Sequence, residues 1–113
     1  MVDRLKELIK YKGLQIAPAE LEAVLLTHPA VADAAVVPYP DEEAGEVPKA
    51  FLVMKGDATA DEIMAYVAAR VAPYKKIRRV EILGQIPKTA SGKILRRVLV
   101  EQQRTRLADA RPS

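Results

Sequence analysis

The sequence predicts an α+β domain in which a small, largely antiparallel β-sheet carries about three packed helices. Segments rich in β-branched or alternating apolar residues alternate with segments whose apolar residues recur at helical spacing. Their order is β-β-α-β-β-α-β-α. The chain of 113 residues contains no internal repeat and no low-complexity tract, and its length suits one modest core. We therefore expect a single domain over residues 1–113.

Two short strands joined by a turn at Gly13 are predicted for residues 5–16, LKELIKYKGLQI. Residues two or four positions apart lie on one face of a strand. This spacing groups Lys6, Lys10 and Lys12. Residues 17–29 then predict a helix, because Pro18 suits its first position and Pro29 ends it.

A second pair of strands is predicted in the middle of the chain, at residues 30–40 and 50–55. The polar segment between them, residues 41–49, predicts a loop. Its acidic residues lack the apolar surroundings that raise the pKa of a catalytic carboxyl group. We therefore interpret them as solvated rather than as a catalytic carboxylate pair.

The last part of the chain predicts a helix, a short strand and a final helix. Thr59 and Glu62 form the capping-box pattern that begins a helix. Residues 78–83 indicate a strand and residues 94–103 the final helix, with residues 104–113 as a frayed tail. The apolar side of that final helix would carry Leu95, Val98, Leu99 and Gln102.

Composition excludes several classes of protein. The chain has no cysteine and one histidine, His28, which suits the end of a helix, so we expect no metal site. No apolar run approaches the roughly 20 residues that cross a bilayer, and the charged start lacks a signal-peptide core. We expect a cytoplasmic chain without a membrane partner.

Charge is distributed unevenly along the chain. Residues 70–97 hold nine Lys or Arg and one acid, Glu81, whereas residues 33–46 hold five acids and no base. The basic part suits a solvated face, a nucleic-acid surface or the wall of a site for a small polyanion. Nucleic acid is the least favoured, because stacking aromatics are few and no helix-turn-helix or zinc-finger pattern occurs.

The segment PKTASGKILRR, residues 87–97, places Lys93 directly after two small residues. Such a loop can aim an ammonium group at a phosphate or carboxylate. It is not a P-loop, since Gly84 lies eight residues before Gly92 and Ile94 follows the lysine where Ser or Thr would bind magnesium.

Two motifs together resemble a known family. VDRLKELIKYKGLQIAPAELE and PKTASGKILRR are similar to the C-terminal domain of the acyl-adenylate-forming enzymes, and are most like those of 4-coumarate-CoA ligases and other acyl-CoA synthetases. The resemblance extends from Asp3 to about Val100. It implies a mobile lid on a large N-terminal adenylation domain, which is absent here. That family makes an acyl-adenylate from a carboxylic acid and ATP, releasing pyrophosphate, and then transfers the acyl group to coenzyme A.

The resemblance also implies roles for individual residues. Lys93 would be the adenylation lysine, Arg4 would help bind the nucleotide, and Lys6 would be the pivot of a hinge over residues 1–6. Lys10 would act in thioester formation, next to Gly13. Lys12 would contact coenzyme A. Gln15 occupies a position that is arginine in some relatives, which puts a phosphate contact there in doubt.

Two further expectations follow from the resemblance. The fragment would be an excised domain, inactive by itself, with a free-standing partner subunit as the less favoured alternative. Magnesium would accompany ATP through ligands outside it. Family members are also targets of reversible acylation at this loop lysine, so an alternative function is that of a lysine acetyltransferase substrate modified at Lys93, with a deacetylase as a second partner.

Overall fold

The computed structural model describes residues 8–110, with side chains described as far as residue 103. It confirms the predicted fold class and the predicted order of strands and helices. The elements are β1 (Ile9–Tyr11), β2 (Leu14–Ile16), α1 (Pro18–Leu26), β3 (Val31–Asp41), β4 (Gly45–Met54), α2 (Ala60–Ala68), β5 (Arg79–Ile82) and α3 (Arg96–Ala110), with a short 3-10 turn at Pro73–Lys75 before β5.

The sheet has five strands, with β4 near its centre. Strand order is β2-β1-β4-β3, and these neighbours pair antiparallel. The fifth strand, β5, runs parallel to β4, with Lys49 opposite Arg79 and Leu52 opposite Ile82. Both β1 and β5 therefore meet β4, but at different points along it, since β1 pairs with it only through Tyr11 and Gly45.

The predicted loop over residues 41–49 is wrong, because most of it is strand. β3 and β4 form one long hairpin with Asp41 opposite Gly45, and only residues 42–44 turn. The Asp41 carboxylate accepts hydrogen bonds from the backbone N–H groups of Glu43 and Ala44, at 3.2 and 2.9 Å. Because the Asp41 side chain holds the turn, the polar residues next to it can remain paired as strand. The pattern of hydrophobic residues in the sequence does not reveal this pairing.

Alternate residues of β3 and β4 face two separate cores. On one face the sheet packs against α1 and α2, and the buried residues there include Leu21, Leu25, Ala34, Val36, Ala50, Leu52, Ile63 and Val67. On the other face α3 contributes Leu99, which packs with Ala35, Val37, Phe51 and Ile86. The predicted capping box at the start of α2 is confirmed: the Thr59 side chain and the Glu62 side chain each cap the other's backbone N–H.

The outer edge of β3 is covered by side chains from both layers. From α1, the Glu22 carboxylate accepts a 2.8 Å hydrogen bond from the Val36 backbone N–H. From α3, the Gln103 amide nitrogen donates to the Pro38 carbonyl at 3.2 Å. An uncovered edge strand would offer these groups to another chain.

The final helix differs from its prediction in its limits and in its buried side. It begins at Arg96 rather than residue 94, because Ile94 is held in a bridge with Lys88. Its backbone continues to Ala110, past the predicted start of a frayed tail at residue 104. Gln103 is the buried glutamine, and the predicted Gln102 is exposed.

Candidate functional site

Lys93 lies in a small hairpin, here called the Lys93 hairpin and defined as Lys88–Ile94. The two ends pair antiparallel with each other. Inside them Thr89 N–H donates to the Lys93 carbonyl and Gly92 N–H to the Thr89 carbonyl, both at 2.9 Å. Gly92 has φ +90°, and this hydrogen-bond pattern is that of a three-residue hairpin loop whose last residue is left-handed. A Cβ added at Gly92 would meet no atom within 4 Å, so backbone conformation rather than space favours glycine.

Hydroxyl groups stiffen the tip of this hairpin. The Thr89 hydroxyl oxygen accepts from the Lys93 backbone N–H at 3.1 Å and lies 2.9 Å from the Ser91 hydroxyl. The Lys93 side chain is exposed, and no described residue makes a side-chain contact with its ammonium group. The sequence therefore builds an ordered turn that presents a cation without a described partner.

The turn between β1 and β2 presents a second group of lysines. Tyr11 pairs with Leu14, which leaves Lys12 and Gly13 as a two-residue turn with φ values of 50° and 83°. Positive φ at both central residues is the requirement of a type I′ hairpin turn. The expectation that Lys12 shares a strand face with Lys10 is wrong, because the strand ends at Tyr11. The predicted nucleotide contact Arg4 and hinge residue Lys6 lie outside the described residues.

The β1–β2 hairpin is attached to the sheet at the turn between β3 and β4. Lys10 N–H donates to a Glu46 carboxylate oxygen and Lys12 N–H to the Ala44 carbonyl, both at 2.9 Å. The side chains of Lys10, Lys12 and Gln15 are exposed, and Gln15 pairs with Lys10 across the hairpin. Lys10 and Lys12, to which the resemblance assigns roles in thioester formation, thus lie on one small projection together with Gln15.

Arg78 belongs to the same projection, although sequence reasoning assigned it no role. Its guanidinium donates to the Tyr11 hydroxyl at 3.1 Å, and its central carbon lies 4.9 Å from the centroid of the Tyr11 ring. The Lys12 ammonium lies 5.5 Å from the same centroid. The dense basic run from Lys75 to Arg79 marks this segment in the sequence as a candidate for binding an anion. Only the fold shows that Arg78 of this run contacts the β1–β2 hairpin.

The two lysine hairpins are anchored at opposite ends of β3. The Lys93 hairpin is tied to Asp33 through Lys88, with 2.6 Å between the ammonium and carboxylate atoms. The β1–β2 hairpin lies where Asp41 pairs with Gly45. Eight residues of extended strand separate these anchors, which corresponds to about 27 Å. The two lysine hairpins are therefore held at separate places on the sheet.

The rest of the basic stretch is partly neutralised. The Lys75 ammonium lies 2.8 Å from Glu20, which raises the pKa of Lys75 above its ordinary value of 10.5. The Lys49 ammonium lies 2.9 Å from Glu81. The Arg79 guanidinium stacks 4.3 Å from the Tyr39 ring centroid. Ion pairing offsets the charges of Lys75 and Lys49, whereas Arg79 keeps its charge. The loss of free positive charge at Lys75 does not favour a nucleic-acid surface along this stretch.

His28 has a structural environment. Its Nδ1 accepts a 3.0 Å hydrogen bond from the Ala30 backbone N–H, and its ring meets Tyr66 edge-on with 4.7 Å between centroids. Within residues 8–103 no group of three or more metal-ligating side chains comes together. Across the described part of the chain, no helix is long and apolar enough to cross a membrane.

The chain is similar in sequence to a known family and to individual proteins. Residues 20–93 match the family described as AMP-binding enzyme C-terminal domain. The chain is 62% identical over 104 residues to 4-coumarate-CoA ligase-like 5 of Oryza sativa subsp. japonica, covering 90% of this chain and 19% of that protein. It is 59% identical over 103 residues to the peroxisomal OPC-8:0-CoA ligase 1 of Arabidopsis thaliana, covering 89% and 19%.

Solved structures of related enzymes superpose on it closely. The Mycobacterium tuberculosis fatty acyl CoA synthetase matches with a TM-score of 0.83 at 38% identity, covering 88% of this chain and 20% of that one. The o-succinylbenzoate CoA synthetase of Bacillus subtilis, in complex with its acyl-adenylate intermediate, matches with a TM-score of 0.80 at 42% identity, covering 83% and 19%. The chain thus spans about a fifth of the length of the proteins it matches.

Proposed function

The chain belongs to the AMP-binding enzyme C-terminal domain family, and from that premise we propose that it is the mobile catalytic domain of an ATP-dependent acyl-CoA ligase. The complete enzyme would convert a carboxylate and ATP to acyl-AMP and pyrophosphate, and then acyl-AMP and coenzyme A to acyl-CoA and AMP. The observation that carries this proposal is the exposed Lys93, which has no described partner and lies on an ordered hairpin inside the matched segment.

Adenylation needs positive charge where negative charge develops. As the substrate carboxylate attacks the α-phosphorus of ATP, charge builds on the phosphate oxygens and on the leaving pyrophosphate. Lys93 is suited to this step because its hairpin is held by backbone and hydroxyl hydrogen bonds while its ammonium has no described partner. Arg4 would assist at the ribose and phosphate of the nucleotide. Lys93 would approach the carboxylate and α-phosphate once the domain closes on the larger one.

Thioester formation needs a different surface. Coenzyme A carries phosphate groups, and the β1–β2 hairpin offers the exposed Lys10 and Lys12 with Arg78 beside them. Gly13 lets this turn approach the acyl-adenylate closely, since no Cβ projects from it. Gln15 lies across from Lys10 as a neutral neighbour. Lys6 would be the hinge about which the domain turns to exchange the two surfaces.

Magnesium would enter with ATP. The residues near Lys93 are cations and hydroxyls, and the described side chains form no cluster of acidic or imidazole ligands. Such a donor set fits phosphate and carboxylate oxygens and does not fit a resident metal. The metal ligands would then be supplied by ATP and by the partner N-terminal domain.

The test is a pair of substitutions in the full-length enzyme. We expect Lys93→Ala to lower the adenylation rate by about 10²-fold or more, as the loss of one preorganised donor does. Lys10→Ala should leave adenylation intact and slow thioester formation from supplied acyl-AMP. Pyrophosphate release and acyl-CoA formation measure the two steps separately. Equal damage to the same half-reaction by both substitutions would contradict the two-surface assignment.

A second function of the same residue is modification. An exposed lysine on a projecting hairpin is accessible to a lysine acetyltransferase, and acetylation would remove the charge that adenylation uses. Mass spectrometry of the cellular enzyme, with adenylation measured before and after deacetylase treatment, tests this. An unmodified Lys93 under all growth conditions would exclude it. Cytoplasmic location stays a prediction, and one relative is named peroxisomal.

A further inference from the structure

Cations on both sides of Lys93 are paired with acids, whereas Lys93 itself has no described partner. Lys88 begins the hairpin and forms an ion pair with Asp33 of β3. Arg96 follows the hairpin by two residues, begins α3, and pairs with Glu22 of α1. These partners lie 55 and 74 positions away in sequence, so the two pairs tie the hairpin to distant parts of the fold.

The Glu22–Arg96 pair is the more deeply buried of the two. Glu22 is 5% exposed, and its Oε2 accepts both the Val36 backbone N–H and the Arg96 Nε–H, each at 2.8 Å. A second nitrogen of the Arg96 guanidinium donates to Oε1 of the same carboxylate. This two-point contact fixes an orientation as well as a distance. It joins α1, the edge of β3 and the first residue of α3 at one carboxylate.

The hairpin needs such support because it is short. Its two arms are joined by the bridge between Lys88 and Ile94 and by a few backbone hydrogen bonds, and an isolated hairpin of this size is at best marginally stable in water. Packing of Ile86 and Ile94 against the α3 face holds its base to the sheet. Apolar packing is less directional than a two-point ion pair, so the ion pairs add a constraint on the angle at which Lys93 leaves the domain.

We infer that the ion pairs Lys88–Asp33 and Arg96–Glu22 form a clamp on the first residue of the Lys93 hairpin and on the start of α3 just after it, and that these four side chains are positioning residues for adenylation. The inference rests on the proposed role of Lys93. A displacement of about 1 Å at a reacting group can cost on the order of 10²-fold in rate, so a modest change in hairpin orientation has a measurable effect. The Lys88–Asp33 pair lies near one end of β3, about 27 Å from the β1–β2 hairpin anchor. The Arg96–Glu22 pair meets β3 at Val36, about 17 Å from that anchor. Neither pair contacts the β1–β2 hairpin, so we expect the second half-reaction to be unaffected.

The experiment uses Arg96→Lys and Asp33→Asn in the full-length enzyme. Arg96→Lys keeps the charge but loses the planar fork. Asp33→Asn weakens the less buried pair, whose side chains are 35% and 25% exposed, so it tests the clamp even where a change at Arg96 impairs folding. We expect each to slow adenylation by about tenfold, with thioester formation from supplied acyl-AMP within about twofold of the parent enzyme.

Glu20→Gln is the matched control. Glu20 lies two residues from Glu22 on the same helix and forms an ion pair with Lys75, away from the hairpin. It should leave the ratio of the two half-reactions unchanged. If Glu20→Gln lowers adenylation as much as Arg96→Lys and Asp33→Asn do, the effect is general destabilisation and the clamp is refuted.

A double substitution separates the clamp from the role of Lys93. In a Lys93→Ala background, Arg96→Lys should cause no further loss of the residual adenylation, because a positioning residue acts through the group it positions. Full additivity would overturn the inference. So would unchanged adenylation in both clamp variants while Lys93→Ala is severely impaired. If Lys93→Ala itself adenylates normally, the proposed function fails, and the clamp with it.

Discussion

Lys12 occupies a conformation that its residue type disfavours. Its φ of 50° lies in the left-handed region, at the first central position of the two-residue turn between β1 and β2. Asn and Gly are the residues that type I′ turns prefer there. A lysine at this position lowers the stability of the turn but places a cation beside Tyr11 and Arg78. We therefore expect Lys12→Asn to stabilise the chain and weaken its function.

The expected size of the stabilisation follows from two terms. An ordinary side chain in the left-handed region costs about 1–2 kcal/mol, and Asn should recover about 1 kcal/mol of this. Against it stands the lost cation–π contact between Lys12 and Tyr11, worth about 0.5 kcal/mol at an exposed site. The net gain of about 0.5 kcal/mol corresponds to a rise in melting temperature of about 2–3 °C for a domain of this size.

Lys12→Gln is the comparison that isolates the strain. It removes the same charge and the same cation–π contact but keeps a long side chain in the left-handed region. Thermal unfolding of the 113-residue chain should place Lys12→Asn above Lys12→Gln by about 1 kcal/mol, or about 5 °C. Equal melting temperatures for the two variants would refute the strain argument.

Function should respond to both variants alike. In the full-length enzyme each loses a charged contact, which predicts a rise of about tenfold or more in the KM for coenzyme A. Adenylation should be unchanged, because Lys12 lies at the opposite end of the sheet from the Lys93 hairpin. An unaltered KM for coenzyme A in both variants would remove Lys12 from the thioester surface, whatever the melting temperatures.

Two further predictions concern Lys75 and Lys6. Glu20 raises the pKa of Lys75 above 10.5, so the stabilisation from this pair is complete below the ordinary lysine pKa and is lost as pH rises through the raised value. In Glu20→Gln, the pKa of Lys75 measured by NMR titration should move back toward 10.5. An identical pKa of Lys75 in both proteins would contradict the pairing. Lys6→Pro fixes φ at about −65° in the proposed hinge, so in the full-length enzyme thioester formation should slow more than adenylation. An unchanged ratio of the two rates with a lowered melting temperature would exclude Lys6 as the pivot.

Local patterns were sufficient for the fold class and for most elements. Some features act through residues that are near neighbours in the chain, so they can be recognised in the sequence. They are the capping residues Thr59 and Glu62, Pro18 at the start of α1, and the β-branched run in β3. The predictions that were wrong, for residues 41–49 and for Gln102, depend instead on contacts between segments that are distant in the chain. Residues 41 and 45–49 are strand despite their polarity, because they pair across the β3–β4 hairpin and Asp41 holds the short turn between them. Gln103 is buried where its amide can donate to the Pro38 carbonyl.

The sequence suggested candidate residues for the site, but not the contacts that support them. Lys93 and Lys10 follow from two motifs, whereas the acids that hold the Lys93 hairpin come from α1 and β3 and have no signature near it in sequence. Arg78 was visible only as one member of a basic run until the fold set it against Tyr11. Motifs suggest candidate groups for binding a ligand, and contacts between distant segments determine which of those groups already have a charged partner.

The placement of the two lysine hairpins constrains how one active centre can use both. Each is tied by hydrogen bonds or ion pairs to the same β3–β4 hairpin, at ends about 27 Å apart. Bending that sheet to bring them together would break the core that both of its faces bury. Under the proposed function, one substrate would therefore meet Lys93 and Lys10 in succession, with the whole domain turning relative to it. The separation of the two half-reactions would then follow from the length of β3, and the motion between them would be a rotation of the sheet with both of its hairpins attached.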